Sequence, residues 1–168
     1  GMALSLLDAY KDDIDYRMNG SQPSNATGYK FNFTELNDGI VFKDDNLTVE
    51  AFKVNHGEFE DAYGFRFTSK DKVIVFSGDT GPSKSLEDYA KDADILVLGN
   101  LHPIVQSSVL DQMNSSSTFV ILDTMNFWMD NTLDHLMEVI KRVEVITIND
   151  EEARQLTGEH SLVSAAKK

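Results

Sequence analysis

Apolar and polar positions alternate in two different ways along this chain, and the change falls near residue 76. Residues 3–18 place Leu4, Leu7, Tyr10 and Ile14 at helical spacing, which predicts one amphipathic helix. Residues 19–28 (NGSQPSNATG) are turn formers and read as a loop. Short β-type segments follow at Ile40–Phe42, Leu47–Val54, Tyr63–Thr68 and Lys72–Phe76. The segment LTVEAFKV alternates apolar and polar residues as a half-buried strand does, and SKDK at 69–72 fits a hairpin turn.

Beyond residue 76 the pattern predicts strands separated by helices. A helix at 83–91 precedes the strand Ile95–Leu98. A helix at 103–113 precedes Phe119–Leu122, one at 130–141 precedes Val145–Ile148, and helical stretches follow at 150–156 and 161–168. Such alternation implies parallel strands joined by right-handed crossovers. The expected fold class is α/β: an antiparallel β-rich N-terminal part continuing into a parallel, layered α/β part, joined at a shared strand near residues 95–98.

Composition narrows the chemistry. Hydrophobic residues make up 41% of the 168, as in a globular protein. Gly1 before Met2 has the form of an expression-tag remnant and is left out of the reading. No apolar run reaches bilayer length and no charged-then-apolar leader opens the sequence, so the protein is expected to be soluble, unprocessed and cytoplasmic, with no membrane partner. The absence of cysteine excludes disulfides, thiolate metal sites and cysteine nucleophiles. Any metal must therefore be held by Asp, Glu or the four histidines, His56, His102, His135 and His160, no two of which are close in sequence. Fifteen basic residues against twenty-eight acidic ones give a net charge of −13. Nucleic-acid binding rests on neutralising phosphates with Lys and Arg, so no nucleic-acid partner is expected.

Two groups of motifs carry chemistry. The first is Val54-Asn-His56-Gly57 with Ala62-Tyr-Gly64-Phe-Arg66-Phe67, then Ile74-Val-Phe-Ser77-Gly78-Asp79-Thr80 and Ala93-Asp94-Ile95-Leu96-Val97. In this order and spacing, residues 3–97 resemble the second half of a metallo-β-lactamase-fold hydrolase of the ribonuclease-Z-like or arylsulfatase-like branch. The resemblance implies that Asp79 is a metal ligand, bridging two ions that lower the pKa of a bound water, and that His56 contacts substrate. Zinc would be the implied cofactor. Read on its own, Asp79 could equally cap the turn before the helix at 83, and His56 beside Gly57 could be structural. The family's His-x-His-x-Asp-His motif does not occur in this sequence. Its His-Glu after Asp-Ile-Leu-Val is replaced by Leu98-Gly99, and its last metal-binding His has no counterpart.

The second group is Leu98-Gly99-Asn100-Leu-His-Pro103, Gln106, Phe119-Val-Ile-Leu-Asp123-Thr-Met-Asn126-Phe-Trp128 and Ile148-Asn149-Asp-Glu-Glu152-Ala153. Residues 95–168 thereby resemble the middle of a PfkB-type, ribokinase-like carbohydrate kinase. That resemblance implies that Asn149 and Glu152 position Mg²⁺ and phosphate near ATP. The same pair, read without it, is a capping box for the helix that follows. Asp123 and Trp128 read as scaffold, one ending a strand and the other filling a core. The family's Gly-Ala-Gly-Asp motif does not occur here.

Two fragments are expected, 2–97 hydrolase-like and 98–168 kinase-like, fused at the strand ADILVLG that fits both. No catalytic residue is assigned, and neither zinc nor Mg-ATP is expected to bind tightly. Apolar faces left by missing layers predict self-association, most simply as a two-fold dimer.

Overall fold

The computed structural model describes residues 2–20, 25, 27–30, 34–113 and 117–168. The N-terminal amphipathic stretch forms two helices, α1 (Met2–Ala9) and α2 (Lys11–Asn19), where one was expected. The break is at Tyr10, whose φ of −99° and ψ of 12° leave the helical region, although its N–H still reaches Leu6 O at 3.1 Å. Half of the loop expected at 19–28 lies outside the described residues. These helices belong to one unit, residues 1–36, and the rest of the chain forms a second, Asn37–Lys168. Among the described residues no helix is long and apolar enough to cross a membrane.

The second unit is built on one seven-stranded sheet in sequence order. Strands β1 (Gly39–Lys43), β2 (Leu47–Lys53), β3 (Tyr63–Ser69) and β4 (Val73–Phe76) pair antiparallel. The β1–β2 turn is closed by Asp44, whose carboxylate accepts the N–H groups of Asn46 and Leu47 at 2.8 and 2.7 Å, a use of Asp common in tight turns. The β3–β4 hairpin closes where SKDK predicted it, with Ser69 N–H donating to Lys72 O at 2.9 Å. Strand β5 (Ile95–Leu98) then pairs parallel to β4, β6 (Phe119–Asp123) to β5 and β7 (Val145–Thr147) to β6. The expected shift from antiparallel to parallel pairing is present, and the sheet runs unbroken through residues 95–98.

The crossovers are α3 (Lys84–Ala90), α4 (Pro103–Asp111) and the pair α5 (Asn126–Asn131) and α6 (Leu133–Ile140); α7 (Asp150–Thr157) and α8 (Leu162–Ala165) follow β7. The helix expected at 130–141 starts earlier and is divided at Thr132, with φ −144° and ψ 36°. The Thr132 hydroxyl donates to Trp128 O at 3.2 Å, the local side-chain-to-backbone bond that competes with helix continuation. Because β4 to β7 step in one direction, right-handed crossovers place their helices on one face of the sheet. That face carries the core: Phe52, Val75, Leu96, Leu98, Val120 and Leu122 from strands, against Leu86, Val105, Val109, Leu136 and Val139 from helices. Each fully buried leucine here contributes about 1.5–3 kcal/mol.

Two carboxylates pin the amino ends of the parallel strands. Asp94, just before β5, accepts Val73 N–H of β4 at 2.8 Å and Lys72 Nζ at 2.9 Å. Glu144, just before β7, accepts Val120 N–H of β6 at 2.7 Å. The Val73 N–H and then Lys72 hold the Asp94 carboxyl below its ordinary value. A depressed folded-state value means that this contact stabilises the fold at and above the unfolded-state value of 3.8 and loses its contribution as pH falls through the folded one. Unfolding free energies measured from neutral pH into acid should therefore separate wild type from Asp94→Ala most widely at neutral pH. The two curves should converge below about pH 3.8; parallel curves would remove Asp94 from the acid limb.

Candidate functional site

The parallel strands end on one edge, and in open α/β sheets ligands bind in the crevice beyond those carboxyl ends. Four loops leave that edge. After β4 comes Ser77–Gly81, after β5 Gly99–His102, after β6 Thr124–Met125 and after β7 Ile148–Asn149. Strand β2, antiparallel to β3, also ends there and brings Asn55 and His56.

The first loop is fixed at both ends while its carboxylate stays free. Ser77, fully buried, accepts Gly99 N–H at 2.8 Å and donates to Gly78 O at 2.8 Å. Gly78 has φ +63°, and a Cβ there would lie 2.4 Å from Tyr63 O, so only glycine fits this turn. The Thr80 hydroxyl lies 2.9 Å from Asn55 O, and Gly81 N–H donates to the same oxygen at 2.6 Å. Asp79 therefore stands exposed on a rigid turn, with no hydrogen-bond or ion-pair partner among the described residues. It does not cap the next helix: Ser83 does, accepting Leu86 N–H at 3.4 Å.

The bonds to Asn55 bring the loop of His56 beside that of Asp79. His56 is half-buried and stacks on exposed Phe59 with ring centroids 5.2 Å apart. His56 O accepts Phe59 N–H at 3.1 Å across Gly57, whose φ is +60°. The structure thus gathers Asp79 and His56 at one end of the edge, but Asn149 and Glu152 lie at the other. Three strand spacings separate β4 from β7, roughly 14 Å.

Asn149 and Glu152 satisfy each other. Asn149 Oδ1 accepts the N–H groups of Glu151 and Glu152 at 3.0 and 2.9 Å, and Glu152 Oε2 accepts Asn149 N–H at 2.9 Å, a complete capping box. Glu152 is buried by this arrangement. With Asp123, Thr124 and Thr147 the pair lines an open cleft of about 450 Å³. The Thr147 hydroxyl reaches Leu122 O at 3.1 Å and Asp123 Oδ1 at 3.2 Å. A larger, mainly apolar groove of about 710 Å³ lies behind it, bounded by Met137, Ile140, Ile146, Leu156 and Leu162.

Between the two ends sit groups to which sequence reading assigned no part in a site. Gln106, fully buried, donates through Nε2 to Gly99 O and Asp123 O, both at 3.1 Å, and so ties the ends of β5 and β6 together. A glutamine among the buried positions Pro103, Val105 and Val109 of α4 was the available signal. Trp128 is half-buried against the core, where a core residue was expected. Its Nε1 donates to Asn100 Oδ1 at 2.8 Å, and its ring meets His102 edge-on at 4.8 Å. His102 Nδ1 accepts Ile104 N–H at 3.2 Å and caps α4.

A transition-metal centre needs about three or more protein ligands. Among the described residues no three His, Asp or Glu side chains converge on a point. Asp79 does not make a metal site with its present neighbours, and no reaction step is assigned through a metal.

A mixed α/β sheet with its polar loops at the carboxyl edge is the class of protein this chain represents. No family model matches it. It is similar to a putative ribonuclease Z of Mycobacterium tuberculosis (strain CDC 1551 / Oshkosh), 28% identical over 107 residues, which are 64% of this chain and 46% of that protein. It is also 25% identical to the ribonuclease Z of Mycolicibacterium gilvum over 109 residues, covering 65% of this chain and 36% of that one. The chain spans less than half the length of these relatives. Among solved structures, the metallo-β-lactamase-fold protein YhfI of Bacillus subtilis aligns with a TM-score of 0.46 and 15% identity, over 63% of this chain and 49% of that one.

Two substitutions test how the edge is held. Gln106→Leu leaves the carbonyls of Gly99 and Asp123 without their donor, and should lower stability by about 1–3 kcal/mol in urea unfolding. Asn149→Ala should cost about 1 kcal/mol through loss of the cap.

Proposed function

We propose that this chain carries the Asp79 portion of a metal-dependent hydrolase of the ribonuclease-Z-like, metallo-β-lactamase-fold type, and is catalytically incomplete by itself. One observation carries the reading: a carboxylate without partners among the described residues, on a turn held at both ends, in a chain similar to ribonuclease Z over 64% of its length. Holding the backbone on both sides of Asp79 pre-orients its oxygens for a cation, and a hard carboxylate suits zinc or manganese between oxygen and nitrogen ligands. His56, on the neighbouring loop, would meet a substrate held there. The remaining ligands would come from another segment or another chain. A bound metal would supply an activated water; Asp79 would position that metal and His56 would orient the substrate.

The relatives are ribonucleases by name. At a net charge of −13 this chain offers few cations for a phosphate backbone, so RNA binding is not part of the proposal. In this reading residues 98–168 act as scaffold. They keep the PfkB-like motif at Asn149 and Glu152, but the capping box occupies both side chains, and the Mg-nucleotide reading has no separate observation in its favour.

Mn²⁺ is the probe that separates these ends of the sheet. Titrated into the isolated chain, it should broaden amide resonances of Ser77–Gly81 weakly, without a tight stoichiometric site, and Asp79→Asn should abolish the effect. Broadening centred on Asn149–Glu152 would transfer the site to the kinase-like end. A stoichiometric zinc retained through dialysis would show that the ligand set is complete.

A further inference from the structure

We draw no further inference here: the strongest candidate, the apolar groove that Ile140 of α6, Ile146 of β7, Leu156 of α7 and Leu162 of α8 line, carries nothing because nothing in the structure shows what covers it.

Discussion

Strand β4 hydrogen-bonds antiparallel to β3 on one side and parallel to β5 on the other, and the rest of the second unit depends on that double pairing. The antiparallel partner brings the end of β2 and the start of β3 to the carboxyl end of β4. The parallel partners bring the ends of β5, β6 and β7 to the same edge. Any polar loop on that edge is thus set by strands whose register the apolar face fixes, since a slip of one residue would turn the core side chains outward.

An edge made of strand ends exposes backbone groups that need partners, and the structure answers with side chains. Ser77 holds Gly99 N–H, Gln106 holds the carbonyls of Gly99 and Asp123, and Asn55 O is shared by Thr80 and Gly81. Each bond crosses between strands or loops, so the edge is stitched laterally. The amino edge follows the same logic with Asp94 and Glu144. Asp79 differs from these residues: it is exposed, and its carboxylate takes no part in the stitching. A side chain that the scaffold does not use, on a backbone that the scaffold holds firmly, is suited to a ligand.

The two faces of the sheet meet different fates from nearly the same composition. Phe52, Val75, Leu96 and Leu122 belong to the core on the helix-covered side, because one-directional right-handed crossovers deliver α3, α4, α5 and α6 to one side. Ile74, Phe76, Val97 and Ile121 lie on the other side. The hydrophobic effect makes no distinction between these sets; connectivity does.

Alternation in LTVEAFKV, the turn SKDK and the strand–helix rhythm after residue 76 determined the α/β class, the order of elements and the change of pairing near β4. They did so because strand and helix periods are local properties of the chain. The capping box at Asn149 and Glu152 was legible for the same reason, its bonds spanning only three residues. Local periodicity could not show the breaks at Tyr10 and Thr132, since residues on both sides keep helical spacing. Nor could it reveal that Ser77, Gln106 and Trp128 hold the edge, with partners 22, 17 and 28 residues away. Whether Asp79 caps a helix or stands free was open in the sequence, and Ser83 decided it by taking the cap. Tertiary structure alone decided which residues share an edge and which face is covered, because both follow from strand pairing between distant segments.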